Sequence, residues 1–142
     1  MKPNQTNEPR LPRLADSLPE HLGIKIEEVE DGYIKATMPV NSRTSRPSQP
    51  TDILNGGASL ALAEIVAGFG SYPLCEEGTM PCGIQVSASH VRMVPVGTHV
   101  EAVGKLIHRG RTQHIWNVDI TTPEGKLVST ARVVNLIIKE RP

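Results

Sequence analysis

The sequence predicts an α+β fold in which one long central helix is wrapped by a single antiparallel sheet of about six strands. Residues 53–75 are apolar apart from Glu64 and a few small polar groups, which predicts one enclosed helix. Two strand-like segments precede this helix and four follow it, with turn residues between the members of each group. One helix layered on one sheet is an arrangement that buries the apolar face of each.

The predicted elements follow one another along 142 residues, a length that indicates one domain. Residues 1–13 are polar and proline-rich, which predicts a flexible N-terminal arm before a domain at 14–142. A β-hairpin is predicted around Asp31-Gly32, because the segments on both sides of this pair are strand-like. The predicted boundaries are a short helix or turn at 14–22, hairpin strands at 24–30 and 33–40, a loop at 41–51, the helix from about Gly57 to Tyr72, and strands at 84–94, 100–108, 112–121 and 126–138.

Composition argues against several classes of function. Fifteen basic and fifteen acidic side chains cancel, which argues against a large basic face for nucleic acid. Aromatic residues make up 3% of the chain, too few for a base-stacking platform. The apolar segment contains Glu64 and Pro73, so it indicates a buried helix and no membrane insertion. The first ten residues contain no apolar signal core, so a cytoplasmic location is expected.

The spacing of cysteine and histidine predicts no metal site. Cys75 and Cys82 match no common zinc or redox motif, and both are expected to be buried or partly buried free thiols. His99, His108 and His114 fall on different predicted strands or turns, without a carboxylate at ligand spacing or an HExxH-type motif.

Glu64 and the glycine pair before it are the candidate chemical groups. A carboxylate is costly to bury unless it is paired or used, so Glu64 is either a catalyst or the partner of an arginine. Asn55-Gly56-Gly57 stands at the predicted helix start, where unpaired N–H groups could hold a carbonyl oxygen; alternatively, the glycines only permit a tight turn. Seven residues separate Gly57 from Glu64, about 10 Å along a helix, which is too far for both to act on one atom.

Short motifs spread over residues 20–138 match a known family in order and spacing. They are Gln49-Pro50, Gly56-Gly57-Ala58-Ser59, Leu62-Ala63-Glu64, and the segments 38–44, 89–92, 108–116 and 125–127. With these motifs the chain resembles the hotdog-fold acyl-CoA thioesterases. It is most similar to their glutamate-dependent branch, which includes 4-hydroxybenzoyl-CoA thioesterase and 1,4-dihydroxy-2-naphthoyl-CoA hydrolase.

The resemblance implies a role for each matching residue. Glu64 would be the nucleophile or general base that cleaves the thioester. Gly56, with Gly57, would donate backbone N–H to the thioester oxygen, Gln49 would position substrate or water, and Asn55 would cap the helix and offer a hydrogen bond. The residues implied to contact coenzyme A are Gly57, Gly83, His90, Arg92, Arg109 and Arg111; alternatively, Arg109 and Arg111 form a solvated hairpin tip and His90 is an ordinary strand residue.

The resemblance also implies how the site is assembled. Two copies would pair edge to edge as a homodimer or a dimer of dimers, and Glu64 would reach a thioester held at the helix start of the other copy. Coenzyme A would enter only as part of the acyl-CoA substrate, an aryl or medium-chain thioester, and no cofactor is expected.

Three positions depart from the family pattern. Asn55 stands where histidine is usual, Gly68 where relatives often carry a hydroxyl residue, and Thr51 where the naphthoyl relatives have a bulkier apolar residue. Because asparagine cannot transfer a proton, a non-catalytic acyl-CoA-binding protein of the same fold is the alternative function. A hydroxyacyl-thioester dehydratase is a further alternative, disfavoured because no histidine lies between His21 and His90.

Overall fold

A computed structural model of the chain describes residues 9–141. Its helices are α1 (Leu18–His21) and α2 (Gly56–Ser71), and a 3₁₀ turn (Tyr72–Leu74) follows α2. Its strands are β1 (Lys25–Glu30), β2 (Tyr33–Val40), β3 (Ser45–Arg46), β4 (Ile53–Leu54), β5 (Thr79–His90), β6 (Thr98–Arg109), β7 (Gln113–Thr121) and β8 (Leu127–Lys139).

Six of the strands form one antiparallel sheet in the order β1-β2-β6-β7-β8-β5, and β3 pairs with β4 in a short ribbon. Helix α2 contacts β2, β5, β6, β7 and β8, so the sheet curves around the helix. This arrangement confirms the predicted α+β fold, with one long helix against a single six-stranded sheet.

The hairpin predicted around Asp31-Gly32 is also confirmed. Glu30 pairs with Tyr33, and Gly32 takes a positive φ of 76° in the tight turn between them. Such a backbone conformation is accessible to glycine at little cost, which explains why the turn forms at this dipeptide.

The core lies between α2 and the concave face of the sheet. Alternate residues of β2 and β7 point inward, as the period of two along a strand requires. Gly70 lets the helix approach the sheet closely, since a β-carbon there would lie 2.7 Å from the Trp116 ring. The largest fully buried side chains are Trp116, Ile34, Met38, Leu62, Ile120, Val40, Val66, Val100, Val118, Val128, Val133 and Asn135.

The prediction that α2 is fully enclosed is wrong for the single chain. One side of the helix is buried, including Leu62 and Val66, but Glu64 is exposed and Ile65 is only partly covered. Much of the apolar character of this segment comes from alanine and glycine, which cost little to leave in water. The burial penalty that first singled out Glu64 therefore does not apply within one chain.

The strand predicted at 84–94 is shifted toward the N-terminus and is β5, Thr79–His90. Pro81 is tolerated in it because β5 is an edge strand. After His90 the chain turns toward β4, where the Val94 carbonyl accepts a hydrogen bond from Leu54 N–H at 2.8 Å. The last three predicted strands agree with β6, β7 and β8 to within two residues at each end.

The predicted flexible arm, residues 1–13, is described only from residue 9 onward. In this part, Leu11 is half-buried and packs against the core, so residues 9–13 follow the surface of the domain. No helix within residues 9–141 is long and apolar enough to cross a membrane.

Candidate active site

The start of helix α2 presents one backbone N–H group outward. The Asn55 side chain caps the helix, its Oδ1 accepting a hydrogen bond from Gly57 N–H at 2.7 Å. Asn55 is itself held by its backbone N–H, which donates to the Thr44 carbonyl at 2.8 Å. Since Gly57 N–H is already used, Gly56 is the member of the pair that can donate to a ligand, and no acceptor within residues 9–141 occupies its N–H.

Gly56 opens onto a cavity of about 470 Å³ at the end of β5. The His90 ring lies so close that a β-carbon at position 56 would be 2.9 Å from His90 Cδ2, which explains the requirement for glycine. His90 Nδ1 is 2.7 Å from Ser129 Oγ, and this hydrogen bond orients the ring. The sequence argument against a histidine beside the helix is therefore wrong, because the fold brings His90 to the helix start from 34 positions further along the chain.

Two guanidinium groups line the Gly56 cavity. Arg92, which was predicted, donates from Nε to the Leu127 carbonyl at 3.2 Å. Arg46, which sequence reasoning missed, lies on β3 and reaches the cavity because β3 pairs with β4 directly before the helix. Its signal in the sequence was only a basic residue in the loop just before the conspicuous helix start. Together they make this cavity suited to an anionic group.

Glu64 lies at a second cavity of about 350 Å³ on the exposed side of α2. Gly83 of β5 faces the carboxylate, since a β-carbon there would be 2.6 Å from Glu64 Oε1. Glu64 is the only acidic or basic side chain in a lining otherwise dominated by apolar and aromatic groups: Pro12, Ile65, Gly68, Phe69, Tyr72, Met80, Pro81, Gly83 and Asn135. Glu64 forms no ion pair within residues 9–141, so the alternative in which an arginine pairs with it is not supported there.

A buried hydrogen-bond network stands behind the Glu64 cavity. Ser71 Oγ accepts from Trp116 Nε1 at 2.7 Å and from Asn135 Nδ2 at 3.0 Å, which uses both of its lone pairs. Its hydroxyl proton must therefore be donated to His114 Nδ1, 2.9 Å away. His114 is consequently neutral, with its own proton on Nε2. Burial, followed by the charges of Arg109 and His108, lowers the pKa of His114.

Arg109 and Arg111 line a third cavity, of about 300 Å³, beside His114 and Cys75. Arg109 donates to the Leu74 carbonyl at 3.2 Å and lies 3.6 Å from Asp31, an exposed ion pair. Burial raises the pKa of the Cys75 thiol, which makes this cysteine a poor nucleophile. The structure thus divides the predicted coenzyme A residues, with His90 and Arg92 beside Gly56, Gly83 beside Glu64, and Arg109 and Arg111 elsewhere.

Gln49 is exposed in the loop before β4, ahead of a cis peptide bond to Pro50, and lines neither the Gly56 nor the Glu64 cavity. Both cysteines are free, and Cys75 is half-buried as expected, but the expected burial of Cys82 is wrong because this residue is exposed on the edge strand β5. Within residues 9–141, no three His, Cys, Asp or Glu side chains cluster closely enough to hold a metal ion.

In one chain, Gly56 and Glu64 belong to different cavities, but both face the same edge strand. Gly56 lies against His90, the last residue of β5, and Glu64 lies against Gly83, near the start of the same strand. One edge of β5 pairs with β8, and among the described residues no strand lies beside its other edge. Exposed apolar side chains mark this region, notably Ile84 within β5 and Val91 and Met93 just beyond it.

Comparison with known proteins places this geometry in a family. A protein-family model described as the thioesterase superfamily matches residues 51–129 of the sequence. The proofreading thioesterase EntH of Cronobacter sakazakii is 38% identical over 119 residues, which cover 84% of this chain and 84% of the relative. The chain belongs to the thioesterase superfamily.

Two further relatives agree with this assignment. The 1,4-dihydroxy-2-naphthoyl-CoA hydrolase of Escherichia coli is 37% identical over 118 residues, which cover 82% of this chain and 83% of the hydrolase. The crystal structure of a thioesterase from Haemophilus influenzae has a TM-score of 0.79 and 38% identity, covering 88% of this chain and 85% of that one. The predicted hotdog fold and the prediction of an enzyme of the thioesterase class are thereby confirmed.

Proposed function

We propose that this protein hydrolyses acyl-CoA thioesters of aryl or medium-chain acids, as a cytoplasmic homodimer or dimer of dimers. One observation carries the proposal: within residues 9–141, the same helix offers a carboxylate without an ion-pair partner, Glu64, over an apolar cavity and an N–H without an acceptor, Gly56, at its start. The first group can attack or activate water, and the second can stabilise charge on a carbonyl oxygen. A relative at 37% identity is named a hydrolase of a CoA thioester, which supports the substrate class.

Edge pairing of two copies explains how the separated groups would meet. In an antiparallel pair of β5 strands with a two-fold axis between Val86 and Ser87, Gly83 comes opposite His90 of the partner subunit. Glu64 lies against Gly83 and Gly56 lies against His90, so each Glu64 would face the partner's helix start. The free edge of β5 and the exposed Ile84 support this arrangement, since an unpaired edge strand is a template for pairing.

The chemistry at such a shared site has two possible first steps. In one, the Glu64 carboxylate attacks the thioester carbon, the CoA thiolate leaves and takes up a proton, and water then cleaves the mixed anhydride. In the other, Glu64 takes a proton from water, and the resulting hydroxide attacks the same carbon and expels the thiolate. In both, negative charge forms on the carbonyl oxygen, and the Gly56 N–H and the positive end of the α2 dipole stabilise it.

Asn55 supports this site as a cap, without contacting the reacting atoms. Its side-chain oxygen is committed to Gly57 N–H, which fixes the direction of the Gly56 N–H. His90 and Arg92 are proposed to contact coenzyme A in the cavity beside Gly56, with Arg46 adding a second positive charge. Arg109 and Arg111 line a separate cavity. They can contact a phosphate of coenzyme A only if its nucleotide extends beyond the cavity beside Gly56. Gln49 is proposed to position substrate or water from its exposed loop.

Because of His90, dehydration of a hydroxyacyl thioester is a second candidate function. Its ring is in contact with the helix start, where such an enzyme would need a proton-transferring group. Hydrolysis is favoured because the helix also presents Glu64 without a partner in the described chain, and because the relatives at 37–38% identity are named for hydrolysis.

The test is a panel of aryl-CoA, aliphatic-CoA and 3-hydroxyacyl-CoA thioesters, assayed with the wild type, Glu64→Gln and the control Glu124→Gln. Glu124 is an exposed carboxylate at the β7–β8 turn that lines neither cavity. Loss of the carboxylate should lower kcat about 10²- to 10⁴-fold, whereas the control should keep the wild-type rate. Unchanged hydrolysis by Glu64→Gln would refute the assignment, water elimination would favour the dehydratase, and tight CoA binding without turnover would favour a binding protein.

A further inference from the structure

The N-terminal segment Pro9–Arg13 contributes a wall to the Glu64 cavity. Pro12 is one of the residues that line this cavity. Leu11 next to it packs against the core and fixes the segment to the domain. The cavity is therefore bounded on one side by a part of the chain outside the helix and sheet, a part whose sequence predicted only a flexible arm.

Arg10 fastens this wall to the far end of the cavity. Its guanidinium carbon lies 4.6 Å from the centroid of the Tyr72 ring, a cation–π geometry, and Tyr72 also lines the cavity. Its Nη2 donates a long hydrogen bond of 3.4 Å to the Thr79 carbonyl, at the start of β5. Tyr72 follows Glu64 by eight residues, roughly 12 Å along the helix. Arg10 thus anchors the N-terminal segment to Tyr72 and to the start of β5, at the end of the lining away from the carboxylate.

The rest of the lining indicates what kind of group the cavity takes. Phe69, Met80 and Pro81 present apolar surface, and the volume of about 350 Å³ falls in the range of small-molecule sites. At Gly68, one turn beyond Glu64, an added β-carbon would meet nothing within 4 Å, so space is left directly beside the carboxylate. The apolar and aromatic lining, the limited volume and the space beside Glu64 suit a compact aromatic acyl group better than a long straight chain.

We propose that Arg10 and Pro12 determine acyl specificity by closing the acyl cavity against long chains, so that compact aryl groups are preferred. This inference rests on the proposed function, because it takes the Glu64 cavity to be the acyl site. A single cation–π contact and one long hydrogen bond hold the wall at Arg10, so substitution there should open the cavity without disturbing the helix or the sheet.

The test measures binding of two thioether analogues that cannot be hydrolysed, S-benzyl-CoA and S-dodecyl-CoA. The variants are Arg10→Ala, Pro12→Gly and the conservative Arg10→Lys, with Arg13→Ala as control, since Arg13 is an exposed cation of the same segment that does not line the cavity. Opening the wall should shift the ratio of the two dissociation constants toward the dodecyl compound by about tenfold. Arg10→Lys should retain most of the wild-type ratio, and Arg13→Ala all of it.

Hydrolysis of benzoyl-CoA and dodecanoyl-CoA by the same variants separates this proposal from the proposed function. A change in relative KM with similar kcat values is expected, because the wall does not touch the reacting atoms. If the ratio of the two dissociation constants is unchanged in Arg10→Ala and Pro12→Gly while the wild type hydrolyses thioesters, the proposed role of Arg10 and Pro12 in specificity is refuted and the proposed hydrolysis is not. A wild type that binds both thioethers but hydrolyses no thioester would overturn the proposed hydrolysis, and the binding ratios would still decide on the wall. Failure to bind either thioether would overturn both.

Discussion

Gly83→Ala is expected to displace the Glu64 carboxylate while leaving the fold intact. A methyl group at this position would lie 2.6 Å from Glu64 Oε1 and 3.4 Å from Cδ. Because non-bonded heavy atoms settle about 3.5 Å apart, the carboxylate oxygen must retreat by roughly 0.9 Å. A misplacement of about 1 Å can cost about 10²-fold in rate, so kcat/KM should fall by about that factor.

The stability of the same variant should move in the opposite direction. Gly83 is exposed on an edge strand and has no positive φ, so alanine fits its backbone conformation. The atoms that the methyl group displaces are the end of an exposed side chain, which can move at little cost. Replacing a strand glycine by alanine gains roughly 0.5–1 kcal/mol, and Tm should rise by roughly 1–4 °C.

The assay follows release of the CoA thiol from benzoyl-CoA, with thermal unfolding measured by circular dichroism. Gly83→Ala is also combined with Glu64→Gln. In this double variant it should lower the rate little further, because the carboxylate that it displaces is already absent. A double variant about 10²-fold slower than Glu64→Gln alone would show that Gly83 acts through another route. A fully active Gly83→Ala would refute the placement of the carboxylate.

Two further predictions concern the shared site and the buried network. Mixing Glu64→Gln with Gly56→Val subunits should restore roughly a quarter of the wild-type rate. Half of the randomly paired dimers then contain one subunit of each kind, and each of these dimers has one intact site of two. No recovery of activity after verified subunit exchange would place the site within one chain. Burial lowers the pKa of His114, so the unfolded chain binds its proton more readily and stability should fall as pH drops below about 6.5. Urea midpoints at pH 7.5 and 5.5 should differ less in His114→Gln, and an equal difference would contradict the burial of a neutral ring.

The elements of the fold were predictable because their signals are local. The Asp-Gly turn, the apolar helix and the β-branched strands depend on neighbouring residues, and the structure confirms them. The start of α2 was equally readable, since Asn55 before two glycines is a capping pattern. The identity of Glu64 as the single carboxylate of the helix also survives, although its exposure reverses the energetic reason first given for its importance.

The surroundings of the candidate site were not predictable, because they depend on strand pairing between distant residues. His90 reaches Gly56 only through the placement of β5, in which His90 pairs with Ser129 of β8, 39 positions further along the chain. Arg46 enters the same cavity through the β3–β4 ribbon, and two residues per strand give no periodicity from which such a ribbon could be read. Pro12 looked like part of a polar arm, and only the packing of Leu11 and Arg10 shows that it lines a cavity.

Asn55 stands where the family resemblance leads us to expect histidine, and its role is best understood through its hydrogen bond. An N-cap residue stabilises the helix start by accepting a hydrogen bond from one of the first N–H groups, and the Asn55 oxygen accepts from Gly57 N–H at 2.7 Å. Stabilising an oxyanion requires a fixed N–H donor and the helix dipole, and neither depends on a titrating group at position 55. An imidazole is still present at the helix start, because His90 contacts Gly56 and is oriented by Ser129. An asparagine at position 55 therefore leaves both the N–H donor and a nearby histidine in place.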